Sequence, residues 1–462
     1  MDTIALLSHA SPTAIVAYRS GLAVTARQFL DDAHQVARGL SGRHVLNVCA
    51  DRYRFTVGLA ACLMSERISL LPSTHTPQVI AQLKNFAPDA SCLTDDARCD
   101  IELPQIYYPD LVPPPAPPPA PSPTPSPGAQ PSFDVPRIPA AQVAAIVFTS
   151  GSTGTPVPYK KTWGLLARCV QNGAPRLGLL DGRSHALVGT VPGQHMYGFE
   201  STVLLALLSG NALSAERPFY PADIAAAVQR VPRPRVLVTT PIHLRTLLTS
   251  GVEFPAVDLV MSATAPLSGE LAREVEETYR TSLLEIYGST ETGQIAMRRT
   301  AETQAWRLWP GVHLSIANDE VYAQGGHIEQ LTPLCDVIEI TGEDRFLLHG
   351  RTADLVNVAG KRSSFGYLNA QLNAIPGVVD GAFFLREETS GSTGVARLAA
   401  VVVAPGMSVA GLTEQLRQLI DPVFLPRPLL IVEQLPRNAT GKLPQQALQG
   451  FADEQLRLYE AP

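Results

Sequence analysis

Apolar positions recur at helical spacing in Thr25 to Leu40, Phe55 to Met64 and Pro77 to Phe86, and short apolar runs, His44 to Cys49 and Ile68 to Leu71, lie between them. A period near 3.6 marks amphipathic helices, and short apolar runs bounded by turn residues mark buried strands. This alternation predicts α/β layers. It is interrupted over 109–140, where Pro113 to Pro119 gives way to alternating Ser, Thr and Pro. Proline fixes φ and lacks an N–H donor, so the stretch forms neither helix nor central strand. It reads as a solvated, polyproline-like surface excursion, with a docking site for a proline-binding partner as the alternative. The rhythm then resumes with a strand at Val143 to Phe148, a helix at Thr162 to Asn172, a strand at Val236 to Thr240 and a helix at Gly269 to Ser282. One fold has been interrupted by an insert.

Past Gly350-Arg351 the pattern changes to short strands, one amphipathic helix at Val409 to Ile420 and a turn-rich tail at Pro436 to Pro444. A domain boundary is placed there, giving domains 1–351 and 352–462. The length of 462 residues also calls for more than one core. Hydrophobic residues make up 45%, charged residues 17%, and the net charge is −6. That balance describes a soluble globular chain and offers no basic footprint for nucleic acid. The six cysteines form no C-x-x-C pair, which argues against a zinc site or a disulfide scaffold. The chain opens Met1-Asp2-Thr3, and its apolar run Ile4 to Leu7 is too short for a secretory signal. No apolar run approaches the roughly 20 residues that span a bilayer. The expected location is the cytoplasm.

Chemistry concentrates in loops. Thr149-Ser150-Gly151-Ser152-Thr153-Gly154-Thr155-Pro156 directly follows the strand at Val143 to Phe148. Glycines let backbone N–H groups approach phosphate oxygens, and hydroxyls donate further hydrogen bonds. The Walker A spacing fails, because proline stands at position 156, so an ordinary P-loop is disfavoured. Taken alone, the loop is equally well a Ser/Gly-rich surface turn.

Taken with Tyr287-Gly288-Ser289-Thr290-Glu291, Gly350-Arg351 and Asn438-Ala439-Thr440-Gly441-Lys442, this loop resembles the superfamily of acyl-CoA synthetases, peptide-synthetase adenylation domains and firefly luciferase, the ANL superfamily of AMP-forming adenylating enzymes. The resemblance runs over nearly the whole chain except the proline-rich insert. It implies a large N-terminal domain of layered α/β sheets with a β-rich subdomain, and a small mobile α+β C-terminal domain. It also implies ATP and Mg²⁺, with coenzyme A or a carrier protein's phosphopantetheine as the acceptor.

Joining a carboxylate to the α-phosphorus of ATP forces an anion against a polyanion, so such a site supplies cations and donors that strengthen in the transition state. The resemblance assigns Thr149, Ser150, Gly151, Ser152, Thr153 and Gly154 to the β- and γ-phosphates. The family's Pro-Lys-Gly continuation is replaced by Pro156-Val157-Pro158-Tyr159-Lys160-Lys161, which makes Lys160 the candidate for the displaced lysine. Tyr287 and Gly288 would line the adenine side, Thr290 the α-phosphate and Glu291 the Mg²⁺ ion. Ala263, Thr264 and Ala265, in the segment Ser262 to Leu267, would pack their backbone on the adenine. Asp336 would grip the ribose hydroxyls and Arg351 the ribose or phosphate. Lys442 would bridge the substrate carboxylate and the α-phosphate, and Gly360, Lys361 and Arg362 would face the incoming thiol. At the family's polar hinge position stands Ala353, followed by Asp354.

Val191 to Phe199 matches the family's acid-pocket segment, with His195 as a gate beside the carboxylate. Met196, Tyr197 and Gly198, together with Ala263 and Gly288, would line the pocket. Where readers of α-amino acids place an aspartate stands Tyr197, with Glu200 offset. The pocket composition therefore points to a flat, benzoate-like acid. The stretch Pro158 to Trp163, together with His195 to Glu200, is similar to ligases of aryl-polyene and xanthomonadin-type pigment pathways, which load hydroxybenzoic or related acids onto an acyl carrier protein or coenzyme A. The alternatives are a ligase for a short aliphatic acid and a catalytically silent relative that binds nucleotide or a partner.

Overall fold

The first helix forms over Ala26–Gly39, opened by a capping box in which Thr25 accepts from the Gln28 backbone N–H and Gln28 accepts from that of Thr25. It buries Phe29, Leu30, Ala33 and Val36 at helical spacing. The second helix, Arg52–Met64, starts earlier than its apolar pattern because Asp51 caps it through the Arg54 backbone N–H at 3.0 Å. The third, Pro77–Phe86, coincides with the predicted element, with Thr76 as cap and Pro77 in its first turn. These elements belong to a computed structural model that describes residues 2–72, 74–109, 133–150, 156–318, 320–351, 355–358, 361–386, 397–438 and 443–460.

Two large sheets organise the N-terminal part. The six-stranded sheet runs Pro156–Thr162, Val143–Ser150, Ile68–Leu71, His44–Asn47, Ser91–Thr94, Gln105–Tyr107, all parallel except the first, which folds back antiparallel on its neighbour. An eleven-stranded sheet has a parallel block, Ala212–Ser214, Ala186–Gly189, Arg235–Thr239, Leu259–Ser262 and Ser282–Ser289. Its chain then returns antiparallel through Gly293–Arg298 toward Asp336–Gly342 and Arg345–Arg351. Helix Arg52–Met64 packs against strands of both sheets and is buried almost throughout, so it lacks the polar face of a surface helix. A three-stranded antiparallel sheet, Val312–Ala317, Glu320–Gly325 and Ile328–Leu334, supplies the β-rich part. The fold is α/β, as the pattern predicts.

A separate core, including Val356, Leu368, Leu372, Phe383, Leu398, Leu412 and Leu416, gathers the C-terminal elements. Its sheet joins Asp380–Arg386, Arg397–Val403 and Leu429–Ile431.

The helix read as Thr162 to Asn172 runs over Trp163–Arg176, and three other elements also differ from the sequence reading. The helix expected to reach Ser282 ends at Tyr279, because Arg280 turns left-handed at φ 51° and Ser282 begins a strand. Within 109–140, Arg137–Pro139 is a strand paired antiparallel with Thr3–Ala5. A two-stranded ribbon tolerates proline because no further neighbour needs its N–H. The tail continues as a helix, Gln445–Glu460, which lays Leu448, Ala452 and Leu456 on the C-terminal sheet. Among the described residues, no helix is long and apolar enough to cross a membrane.

Candidate active site

Parallel strands in an open α/β sheet all point their carboxyl ends at one rim, where ligands bind. Here Gly189, Thr239, Ser262 and Ser289 end such strands, and the segments that follow three of them are the acid-pocket stretch, the small-residue stretch and the Thr290-Glu291 turn. Three of the candidate segments therefore meet at one rim although they are spread over a hundred residues.

At this rim the Tyr287 hydroxyl donates to Asp336 Oδ2 at 2.6 Å. Behind Tyr287, Trp306 and Phe346 form an aromatic backing, with ring centroids 5.5 and 5.4 Å away. Asp336 and Arg351 face each other in register across antiparallel strands, which accounts for their separation in sequence. Gly288 is exposed at the open side, and a Cβ there would meet the Gly293 carbonyl oxygen at 2.2 Å, so no side chain is tolerated.

The segment Ala263 to Leu267 is held from below. Glu285, buried in the sheet, accepts from the Leu267 backbone N–H at 3.2 Å, from Arg298 Nε at 2.8 Å and from the Thr300 hydroxyl at 2.7 Å. Burial pushes its carboxyl up, and the Arg298 guanidinium pulls it back. Arg298 in turn lies over the Trp306 ring at 4.4 Å. Within the segment Thr264 adopts φ 79°, a left-handed backbone unusual for a β-branched residue and a mark of a constrained site.

On the acid side His195 precedes the short helix Met196–Gly198, and Met196 and Tyr197 are buried. A Cβ on Gly198 would lie 2.1 Å from the Pro192 carbonyl oxygen, so the tight return of this loop requires glycine. Arg52 anchors the loop's start: its Nη2 donates to the Gly189 and Val191 carbonyl oxygens, each at 2.8 Å. Sequence reasoning gave no hint of Arg52 or Glu285, because their partners are remote in the chain.

His243 sits behind the same rim, where the Thr240 and Thr190 hydroxyls approach its Nδ1 at 2.9 and 3.3 Å. Burial pulls its pKa from 6.5 down to about 4, so the ring is neutral in the folded protein. A depressed folded pKa gives stability that is present above pH 6.5 and is lost as the pH falls toward 4. This single group accounts for about 3 kcal/mol of acid destabilisation over that window. Denaturant midpoints measured from pH 7 to 4 are expected to fall less steeply for His243→Gln than for the wild type, and parallel curves would contradict the assignment.

The two lysines of the Pro156–Thr162 strand point to opposite faces, as alternation requires. Lys160 is exposed, and Lys161 is buried with its Nζ donating to the Glu291 carbonyl oxygen at 2.8 Å. Lys160 thus lies exposed on the strand that follows the Ser/Gly-rich stretch. Gly151, Ser152, Thr153, Gly154, Gly360 and Lys442 lie outside the described residues, and Thr149, Ser150, Arg351, Lys361 and Arg362 are described only as strand backbone. Glu291 is half-buried at the rim. Among the described residues no cluster of three His, Cys, Asp or Glu side chains forms a ready metal cage. A single carboxylate fits Mg²⁺, which keeps several waters and takes its other oxygens from substrate phosphates.

The rim thus brings together a tyrosine-aspartate pair, a stretch of small residues and one carboxylate on a turn. Residues 7–327 match the family described as AMP-binding enzyme, and the chain belongs to it. A 4-coumarate–CoA ligase of Rhodobacter capsulatus is 33% identical over 285 residues, covering 62% of this chain and 70% of the relative. A 4-chlorobenzoate–CoA ligase of Arthrobacter is 24% identical over 367 residues, covering 70% and 68%. The structure of o-succinylbenzoate coenzyme A synthetase from Bacillus subtilis, in complex with ATP and magnesium ion, superposes with a TM-score of 0.77 at 16% identity, covering 95% of this chain and 97% of that one. The protein is accordingly an ATP-dependent, AMP-forming acid–thiol ligase of the ANL superfamily.

Proposed function

We propose that the enzyme activates a small aryl acid of hydroxybenzoate type as its acyl-adenylate and passes the acyl group to the thiol of coenzyme A, or to the identical thiol of a carrier protein's phosphopantetheine. The observation that carries the substrate class is the pair Met196 and Tyr197, buried in the short helix that follows His195. A flat aromatic ring with one polar tip, beside a methionine, suits an aryl ring better than a flexible aliphatic chain. Relatives named for 4-coumarate and 4-chlorobenzoate support the same class and favour coenzyme A.

In this reading Tyr287 and the shelf Ala263 to Ala265 hold the adenine, and Asp336, steadied by the Tyr287 hydroxyl, accepts from the ribose. Thr290 donates to the α-phosphate as charge builds there, and Lys442 brings a cation to the meeting point of carboxylate and phosphate. Glu291 would hold Mg²⁺, which neutralises the leaving pyrophosphate when bound. His195 borders the acid's carboxylate and opens the path for the thiol past Gly360, Lys361 and Arg362. The domain boundary at 351 serves this two-step use of one rim by letting the C-terminal part present first Lys442 and then that loop. A purified-enzyme screen of hydroxybenzoates, cinnamates and short aliphatic acids, read by mass spectrometry of coenzyme A and carrier-protein products, tests the proposal. Aryl acids are expected to exceed aliphatic ones in kcat/KM by about 10-fold or more. A preference for an aliphatic acid would overturn the substrate class, and products on the carrier protein alone would reverse the acceptor preference.

A further inference from the structure

Beneath the Thr290-Glu291 turn lies a set of buried polar side chains that the adenylation chemistry does not use. Lys161 Nζ donates to the Glu291 carbonyl oxygen at 2.8 Å, and the next carbonyl, that of Thr292, accepts from His327 Nε2 at 3.0 Å, so that nitrogen carries the ring proton. Two residues on, the Gln294 backbone N–H donates to Glu200 Oε2 at 3.2 Å. The other Glu200 oxygen accepts from the Cys169 thiol at 3.4 Å. All four side chains are buried: Lys161 is 7% exposed, Cys169 3%, Glu200 4% and His327 4%. They come from a strand, a helix, a π-helical turn and a hairpin connection, so the arrangement is tertiary. Gly293, at φ 73°, completes it, since a Cβ there would lie 2.6 Å from Glu200 Oε1.

Burying an ammonium and a carboxyl group is costly: burial lowers the Lys161 pKa and pushes that of Glu200 up to about 7. A device of this kind is therefore poorly explained by stability alone. What it fixes is backbone: the carbonyls of 291 and 292 and the N–H of 294, a grip that sets where the Thr290 and Glu291 side chains leave the turn. The turn's own bonds, Ser289 N–H to the Thr292 hydroxyl and Thr292 N–H to the Ser289 hydroxyl, both at 3.2 Å, close the ring but do not tie it to the rest of the protein.

We propose that Lys161, His327 and Glu200 are positioning residues for adenylate formation, a buried cradle that holds the Ser289–Gln294 turn so that Thr290 and Glu291 meet the reacting phosphates. The inference rests on the reading of those two residues as nucleotide-facing. It gives the strand's second lysine a role through backbone rather than through phosphate contact, in a strand where the family's Pro-Lys-Gly is missing.

The test uses the full-length enzyme carrying Lys161→Met together with Glu200→Gln, which removes both buried ionisable groups at once. Amide hydrogen exchange is followed across 289–294, and adenylation rates are normalised by active-site titration. Exchange in the turn is expected to speed up by about 10-fold or more while thermal stability changes little. Normalised kcat for adenylation is expected to fall by about 30-fold with KM for ATP within about threefold, and thioester formation from a supplied acyl-adenylate is expected to persist. If the double variant does not fold, His327→Phe, which removes only the Thr292 donor, carries the same readouts. An unchanged normalised kcat overturns the proposal whatever the exchange shows, and so does unaltered exchange in the turn. The exchange measurement needs no substrate, so it decides the cradle even if no acid is turned over, a result that counts against the ligase reading alone.

Discussion

Replacing Lys442 by alanine is expected to slow adenylate formation by about 10² or more, while a supplied acyl-adenylate still reacts with the thiol. The reason is electrostatic. A carboxylate attacking the α-phosphorus brings one anion onto a polyanion, and a lysine at the point of contact contributes most when charge is most concentrated, in the transition state. Once the mixed anhydride exists, the thiol attacks a neutral carbonyl and that cation is no longer required. Lys442 follows the domain boundary placed at Gly350-Arg351 in the sequence, so its contribution to the two steps is expected to be separable. Single-turnover measurement of each half-reaction checks this. Equal loss in both would contradict the assignment.

The second large effect is expected at Glu291. Glu291→Gln keeps the shape and removes the charge of the one carboxylate on the rim turn, leaving a neutral oxygen as a weak ligand for a hard divalent ion. The efficiency of adenylation with MgATP is expected to drop by about 10²-fold, and more Mg²⁺ should be needed to reach half-maximal rate. The backbone is expected to stay in place, because Lys161 grips the residue's carbonyl and not its side chain. A variant with wild-type magnesium dependence would remove Glu291 from the metal.

How far these roles were legible beforehand depends on whether their cause is local. Helix Pro77–Phe86 is readable at both ends because Thr76 and Pro77 mark its start and its apolar spacing marks its length. The helix Gln445–Glu460 carries the same kind of signal, Leu448, Ala452 and Leu456 four apart, yet the turn residues just before it dominate the pattern. Candidate loops stand out in the sequence because glycines and hydroxyls cluster there at short spacing. The distinction between Lys160 and Lys161 does not, since one register step on a strand decides which lysine enters the core, and a bulge between Lys161 and Thr162 shifts that register locally. The supporting residues were hidden for a different reason: Lys161 meets Glu291 across 130 positions of sequence, and Arg52 meets Gly189 across 137. Nothing in their neighbours announces such partners. Buried charge is rare enough that these residues stand out as soon as their surroundings are known.

The most direct test of adenylate formation is exchange of labelled pyrophosphate into ATP without any thiol, run with and without an aryl acid. The expected result is exchange that requires the acid, with no ADP formed and AMP released only once a thiol is added. Exchange that ignores the acid, formation of ADP, or silence across the whole acid panel would contradict it.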